Sequence, residues 1–303
     1  MLLARLIKRN ILVYARDRSN IFFSLLSMLI IIGLMVIFLA KMNADNVVGL
    51  LNQYGGVRDE AVDRSNVEQL VILWALAGIV VVNSVTITLT MIGIMVEDEV
   101  HKKLSSFYVS PVNRGVFVMG YIISAIIMGT VMCVLTLAIG EAYIGIMGGT
   151  LLTLNQVIKI LYYIILNVFT SAGMVFFMVN FVHSRSALSG LDTIVGTFVG
   201  FMAGIYLPMG MLPEKVQTVL KCLPLVHGCS FLRDTITQQS IAATFSNCPQ
   251  ELIDGYKEYM GITVSFNDKL VSGGIKVAFL VISGIIFIAV SAIMQRRRNV
   301  MSR

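Results

Sequence analysis

Charged side chains are scarce in this sequence. Only 13% of its 303 residues are Asp, Glu, Lys or Arg, whereas 57% are hydrophobic. A soluble domain usually carries about 25% charged residues, so this composition excludes an ordinary soluble globular protein. The sequence therefore predicts a protein that lies in a lipid bilayer.

Catalytic and metal-binding motifs are missing as well. Histidine occurs only three times, at His101, His183 and His227, and these positions lack metal-ligand spacing. The chain contains no G-x-x-x-x-G-K-[ST] phosphate-binding loop. It also shows no Ser/His/Asp or Cys/His arrangement of the kind that supports nucleophilic catalysis. We therefore expect no catalytic residue, no metal ligand and no cofactor bound by this chain.

Cysteine is infrequent too. Cys133 falls inside an apolar run, and Cys222, Cys229 and Cys248 fall in the polar segment before the last run. Three cysteines cannot all pair within one chain. Two interpretations are open: one disulfide in an oxidising compartment, or free thiols.

Long apolar runs are what the sequence does have. A helix needs about 20 apolar residues to cross a bilayer, whereas membrane-spanning strands need an alternation of polar and apolar residues that these runs lack. We predict an all-α integral membrane protein that forms one domain over residues 1–303. Its six transmembrane helices are expected at residues 21–40, 69–96, 116–140, 157–182, 187–206 and 273–294.

The distribution of Lys and Arg predicts the orientation. An even number of spans places both termini on one side, and Lys and Arg are more numerous on that side than in the two long loops opposite, where Arg233 and Lys257 are counted. The positive-inside rule then predicts cytosolic termini in a cell-membrane protein. Because the basic pI reflects this orientation, nucleic acid is not an expected partner.

Two segments next to the predicted spans have patterns of their own. Residues 1–20 place apolar and basic side chains on different helical faces, which predicts an interfacial amphipathic helix in contact with anionic membrane lipids; a solvated positive leader is the alternative. The apolar side chains are Leu3, Ile7, Ile11 and Tyr14, and the basic ones are Arg5, Lys8, Arg9 and Arg16. Residues 207–272 begin with three prolines and apolar blocks shorter than a span, which predicts an outer re-entrant helical region and a small external subdomain.

The second predicted span contains a line of polar residues. Asn83, Thr86 and Thr90 recur at helical spacing, and Trp74 lies nearer to the expected outer interface. Such polar side chains either line a pathway or form hydrogen bonds between helices. Both interpretations stay open from the sequence.

The fifth predicted span contains an intramembrane carboxylate and a row of glycines. Asp192 is followed at steps of four by Gly196, Gly200 and Gly204, so the four positions share nearly one helical face. Small residues at this spacing predict a close helix contact. Asp192 is expected to face protein or water, or to pair with Arg185 near the interface.

The segment 97–115, "EDEVHKKLSSFYVSPVNRG", separates the second and third predicted spans. It begins with three acidic residues, continues with apolar residues at helical spacing and ends with a proline and an arginine. This pattern predicts a short amphipathic helix that docks a soluble partner, with a membrane-hugging loop as the alternative. The residues concerned are Glu97, Asp98, Glu99, Leu104, Phe107, Tyr108, Pro111 and Arg114.

The same segment and the residues after it, "EDEVHKKLSSFYVSPVNRGVFVMGYI", resemble ABC-2 type transporter permeases. In that family an acidic residue closes span two, an L-x-x-L/F pair follows, and P-x-x-R leads to a Gly in span three. The matching positions are Glu97 or Glu99, Leu104, Phe107, Pro111, Arg114 and Gly120. Where the family often has G-T before that Leu, this chain has Lys102 and Lys103. The order of N-terminal helix, six spans and Pro-rich outer region is similar over nearly the whole chain.

The resemblance implies a function. The chain would be the permease subunit of an ATP-driven exporter, paired with a second permease subunit in a homo- or heterodimer and coupled through segment 97–115 to a separate ATPase subunit that binds ATP and Mg. Spans one, two and five would lie near the dimer seam. The seam or pathway candidates are then Asn83, Thr86, Thr90, Asp192, Gly196, Gly200 and Gly204.

The expected substrate is a hydrophobic drug, an antimicrobial peptide or a lipid-like molecule. Two alternatives from other classes remain. An ion-coupled secondary transporter would use Asp192, the one confident intramembrane charge. A membrane sensor or immunity protein that does not transport would bind its ligand through residues 207–272.

Overall fold

The computed structural model describes residues 2–34, 40–54, 59–103, 114–205, 207–266 and 269–301. Within these ranges the regular secondary structure is helical apart from one short hairpin, which confirms the predicted all-α class. The first helices are α1 Leu2–Arg16, α2 Arg18–Leu34, α3 Ala40–Tyr54, α4 Glu60–Val100, α5 Arg114–Ile146, α6 Leu154–Val179 and α7 Arg185–Met202. After a 3-10 turn at Met209–Met211 come α8 Glu214–Lys221, α9 Pro224–Ile236, α10 Gln238–Thr244, α11 Gln250–Tyr259, β1 Ser265–Phe266, β2 Lys269–Leu270 and α12 Gly273–Met301.

Four helical segments of the described chain are long and apolar enough to cross a membrane. They are α4, residues 115–146 of α5, α6 and residues 273–294 of α12. These correspond to the second, third, fourth and sixth predicted spans and support a membrane protein. Of the first predicted span, residues 21–34 lie in α2 and residues 35–39 lie outside the described part. Of the fifth predicted span, residues 187–202 lie in α7, which carries Arg185 and Asp192 in its first half, and residue 206 lies outside the described part.

Helix α4 is the centre of the packing. It contacts α3, α5, α6, α7, α9 and α10, and most of its apolar stretch is buried. A helix that is hydrophobic on all sides belongs inside a bundle, and α4 follows that rule. It begins nine residues before the predicted span because Asp59 caps it: the carboxylate accepts hydrogen bonds from the backbone N–H groups of Ala61 and Val62.

Small and hydroxyl-bearing residues bring the long helices close together. A Cβ on Gly173 of α6 would lie 2.7 Å from the carbonyl oxygen of Gly284 in α12, so only hydrogen fits there. The Ser84 and Ser171 hydroxyls, on α4 and α6, are 3.0 Å apart. Contacts of both kinds are typical of helix interfaces in membranes, where burial of apolar surface supplies no drive for association.

The segment after α7 folds back against the bundle. Helix α9 is nearly all buried and packs against α4, α6 and α12. Its Gly228 is required by this contact, since a Cβ there would overlap the amide of Asn167 on α6. The strands β1 and β2 pair antiparallel immediately before α12.

Candidate functional site

The end of α4 is bound to the N-terminal helix by a buried carboxylate. Arg9 on α1 grips Asp98 with both terminal nitrogens: Nη1 contacts Oδ2, and Nη2 donates to Oδ1 at 2.7 Å. The Tyr121 hydroxyl on α5 donates to Asp98 Oδ2, also at 2.7 Å. Only 3% of the Asp98 side chain is exposed. Three helices therefore meet at one carboxylate, and we call Arg9, Asp98 and Tyr121 the junction.

The electrostatics of the junction are those of a satisfied ion pair. The hydrogen bond to Asp98 raises the pKa of the Arg9 guanidinium above its ordinary value, so this cation stays charged at any relevant pH. A bidentate guanidinium–carboxylate pair is among the stronger polar contacts in proteins. Lys103 adds a weaker interaction, with its Nζ 3.9 Å from Asp98 Oδ1.

Helix α1 packs against α5 through a face that only partly coincides with the predicted apolar one, with Tyr14 common to both. Its buried residues are Leu6, Asn10 and Tyr14, and a Cβ on Gly120 of α5 would lie 3.2 Å from Leu6 Cβ. Arg9, expected among the cations on lipid head groups, instead points into the protein. The reason is Asp98, whose buried charge requires a partner.

A second ion pair links the same end of α4 to α7. Glu97 Oε1 lies 3.5 Å from Arg185 Nη2, and both side chains are about half exposed. Exposed pairs of this kind add little stability, so this one contributes to the orientation of α7 relative to α4 more than to the stability of their contact. Arg185 therefore contacts Glu97, and the alternative pairing of Arg185 with Asp192 is not what the structure shows. The third acidic residue, Glu99, is exposed.

Helix α4 ends in a turn that holds Lys102 in a left-handed backbone conformation. The Lys103 N–H donates to the Asp98 carbonyl at 2.9 Å and the Lys102 N–H to the Glu99 carbonyl at 3.0 Å, which is the Schellman pattern. Lys102 has φ 55°, in the left-handed region that glycine adopts at little cost. The family motif often has Gly at this position, so the departure from the motif has a structural consequence.

The rest of the predicted coupling segment is not described. Leu104, Phe107, Tyr108 and Pro111 lie outside the described residues. Arg114 begins α5, but its side chain is likewise outside the description. The structure thus places Glu97, Asp98 and Glu99 at one end of the bundle, next to α1, α5 and α7.

The predicted seam residues on α7 have three different settings. Asp192 is exposed, and a Cβ on Gly196 would meet nothing within 4 Å. Gly200 is buried. Gly204 lies beyond the helix end with φ 60°, so it closes α7 and does not continue the predicted glycine face. One side of α7 is consequently open in the single chain.

The polar line on α4 is used for hydrogen bonds inside the chain. Asn83 Nδ2 donates to Thr136 Oγ1 on α5 at 2.8 Å. Thr86 and Thr90 donate to carbonyls of their own helix, those of Val82 and Thr86. All three side chains are half-buried in the single chain.

The sequence profile of one protein family covers most of this architecture. The profile of the ABC-2 type transporter family matches residues 1–237, from α1 through the junction to the end of α9. The chain belongs to the ABC-2 type transporter family. No curated protein sequence matches it significantly. Family membership makes this ABC-2 chain a membrane component of a transport system and implies that it pairs with an ABC ATPase subunit.

Sequence patterns missed one further cluster in this ABC-2 chain. Arg233, counted as a loop cation, is a buried residue of α9 whose guanidinium carbon lies 4.1 Å from the centre of the Trp74 ring. Its Nη2 donates to the Ala203 carbonyl at 2.5 Å, and its Nη1 to the Met260 carbonyl at 3.3 Å. Trp74 is fully buried within the protein, and its Nε1 donates to the same Met260 carbonyl at 2.7 Å.

The Arg233–Trp74 cluster closes the end of the ABC-2 bundle opposite to the junction. Arg233 contacts the carbonyls that end α7, where the partial negative charge of a helix C-terminus favours a cation. The sequence did contain a signal for this burial. Arg233 directly follows the ten largely apolar residues "LPLVHGCSFL", and an exposed loop would not need such a run.

The sequence left open whether the cysteines of the outer segment form a disulfide or remain free thiols. Cys229 is buried and donates to the Ala203 carbonyl, while Cys222 is exposed at the end of α8. Both are free thiols in the structure, as is Cys133.

Proposed function

We propose that this ABC-2 chain is the permease subunit of an ATP-driven exporter, a single transmembrane domain with six spans and cytosolic termini. In this topology α2 and α7 supply the first and fifth spans, and α9 forms the outer re-entrant region. The junction carries the proposal, because Asp98 joins the N-terminal helix to α4 immediately before the rest of segment 97–115.

The junction gives a route from an ATPase to the transmembrane helices. A separate ATPase subunit, which binds ATP and Mg, docks on α1 and segment 97–115. Motion of the docked subunit then reaches α4 and α5 together, since Arg9 and Tyr121 hold the same carboxylate. The Glu97–Arg185 pair extends the contact to α7.

The open side of α7 supports pairing with a second permease subunit. One face of this helix carries the exposed Asp192 and the uncovered Gly196, and another face exposes the large apolar side chains Ile194 and Phe198. A helix that faces lipid rarely carries an exposed carboxylate at such a position, whereas a helix that faces a partner or a water-filled pathway does. The exposed apolar side chains of α7 fit a hydrophobic drug, an antimicrobial peptide or a lipid-like substrate.

Co-purification tests the coupling. The protein is isolated from its native membrane in mild detergent, and the associated soluble proteins are identified for the wild type and for Glu99→Lys and Phe107→Ala. Glu251→Lys, an exposed charge reversal on α11 in the outer region, is the matched control. We expect an ABC ATPase with the wild type and the control and its loss in the two loop variants. Recovery of no ATPase with the wild type, together with transport that is insensitive to ATP, would refute the proposal.

The ion-coupled alternative rests on the exposure of Asp192. If Asp192 carries a coupling ion, Asp192→Asn abolishes transport in vesicles driven by an ion gradient alone. Under the exporter proposal, transport requires ATP in both forms and survives the substitution.

A further inference from the structure

A basic cavity lies where the hairpin meets the beginning of α12. It has a volume of about 450 Å³ and opens between the end of α8, α9, the hairpin and α12. This volume is within the usual range for small-molecule sites. Its walls carry Lys221, Lys269, Lys276 and His227 beside the apolar side chains of Ile275 and Phe279.

Lys276 is a buried cation without an acidic partner among the described residues. Its side chain belongs to a residue that is only 8% exposed, and its Nζ donates to the neutral Ser230 hydroxyl at 2.8 Å. The nearby Asp234 carboxylate is engaged by Lys257, whose Nζ lies 3.7 Å away. The ammonium group also lies over the Phe231 ring, with its Nζ 5.4 Å from the ring centre. Neither the hydroxyl nor the ring supplies a full negative charge to this buried group, so the site favours an anion.

His227 adds a second unsatisfied group. The residue is 4% exposed, and its Nε2 is hydrogen-bonded to the Lys221 carbonyl at 2.8 Å. The other ring nitrogen, Nδ1, is buried and has no hydrogen-bond partner within the described part of the chain. With Nε2–H donating, neutral Nδ1 is an acceptor and can take a hydrogen bond from a hydroxyl group of a ligand.

The position of the cavity indicates what kind of anion fits. Lys276 lies one turn from the start of α12, whose following residues form the most apolar of the candidate spans. That depth is the head-group level of a bilayer, where a lysine extends toward phosphate. Ile275 is 62% exposed and continues the apolar wall in the direction of the acyl chains. No carboxylate lines the cavity in the described ranges, which leave out residues 267–268.

We propose that this cavity binds one anionic phospholipid with a hydroxylated head group. The phosphate lies among the three lysine ammonium groups, a head-group hydroxyl reaches His227 Nδ1, and an acyl chain follows Ile275 and Phe279. The occupant is in the outer leaflet if the proposed topology holds, but binding itself is independent of the ATPase. The site lies partly beyond the region that the family profile matches, since Lys269 and Lys276 follow residue 237.

Cys222 provides a direct readout, because this exposed thiol lines the cavity whereas Cys133 and Cys229 are buried. The full-length protein is reconstituted in phosphatidylcholine vesicles with increasing fractions of phosphatidylglycerol. The rate of Cys222 modification by a neutral maleimide is followed by peptide mass spectrometry. A Gln238→Cys substitution supplies an exposed reference thiol on α10 that corrects for effects of the charged membrane surface.

We expect phosphatidylglycerol to slow Cys222 modification relative to the reference thiol. Lys276→Met should raise the lipid fraction that gives half-protection about tenfold, as loss of one charge-assisted hydrogen bond does, while Lys276→Arg retains protection. Lys269→Met, at an exposed position, gives a smaller shift in a variant whose folding is not at risk. Unchanged modification in phosphatidylglycerol, or full protection in Lys276→Met, would overturn the proposal. Equal protection by soluble glycerol phosphate in phosphatidylcholine vesicles would also overturn it, since the occupant would then be a free phosphate.

Discussion

Arg9 and Asp98, which are far apart in the sequence, form a bidentate ion pair that fastens the N-terminal helix to the end of α4. Asp98 is almost completely enclosed, whereas about a third of the Arg9 side chain remains exposed. The pair therefore has an asymmetry: removing the arginine leaves a buried charge, and removing the carboxylate leaves a cation that can reach water.

Substitutions at the two positions should have unequal effects. Arg9→Met should lower the free energy of unfolding by about 3 kcal/mol, toward the lower end of the values for a broken buried pair because Arg9 is partly exposed. Asp98→Asn should cost less. Thermal unfolding of the detergent-purified protein measures both, with Arg16→Met on the exposed part of α1 as control.

The double variant Arg9→Met/Asp98→Asn tests whether the two side chains act as a pair. Residues in direct contact show coupling energies, so the double variant should be more stable than the sum of the single effects predicts. Additive effects would mean that the contact contributes no coupling and that α1 is held by its apolar face alone.

The strained turn at the end of α4 predicts a stabilising substitution. Lys102→Gly should raise the stability of this helix end by about 0.5–1 kcal/mol, because the left-handed conformation penalises a side chain by more than glycine loses in chain entropy. Slower hydrogen exchange of the Lys103 amide would report the gain. Lys102→Ala keeps the strain while removing the charge, and an equal gain in that variant would refute the explanation.

Gly196→Leu is the sharpest test of the dimer seam. A Cβ at residue 196 has no neighbour within 4 Å in the described part of the subunit, so the substitution should leave the subunit folded and still reduce dimerisation. Gly274→Leu, at an equally open position on α12, is the matched control. The oligomer mass in detergent, measured by light scattering, should fall for Gly196→Leu alone. An unchanged mass would place the seam elsewhere.

The buried Arg233 should tolerate no replacement, including lysine. Arg233→Met and Arg233→Lys should each destabilise the protein by about 3 kcal/mol, because only a planar guanidinium can stack on Trp74 while donating to carbonyls on two sides. Trp74 is the single tryptophan, so its fluorescence follows the cluster directly. A red-shifted emission in both variants, with Lys257→Met unchanged, is the expected result. Wild-type emission and melting in Arg233→Lys would show that charge alone suffices.

The long apolar runs and the acidic segment 97–99 were the parts of the sequence that best predicted the structure. The helices α4, α5, α6 and α12 could be predicted from their apolar runs, since each run is long enough to cross a bilayer. The extension of α4 to Glu60 did not follow, because a capped polar turn adds no hydropathy signal. The six-span topology remains a prediction.

Long-range partners were beyond the sequence. Asp98 was identified as part of an acidic group, but only the folded chain brings Arg9 and Tyr121 to it. Arg233 was assigned to a loop because prolines precede it, and its partners are backbone carbonyls, which leave no trace in a residue pattern. Gly204 looked like one more helical glycine, and its positive φ depends on where α7 ends.

Helix α4 carries Asp98 near one end and Trp74 well toward the other, about 36 Å apart at 1.5 Å per residue. Each is held by an arginine from a different part of the chain, and the helix between them is continuous. A continuous helix of this length can transmit an axial displacement from one end to the other. If α4 moves as a rigid rod, an axial displacement of Asp98 shifts Trp74 by the same distance, and the stacked Arg233 guanidinium must either move with it or separate from it. The hydrogen bonds from Arg233 to the carbonyls at the end of α7 would then depend on the position of α1, and no loop would be needed to connect the two sites.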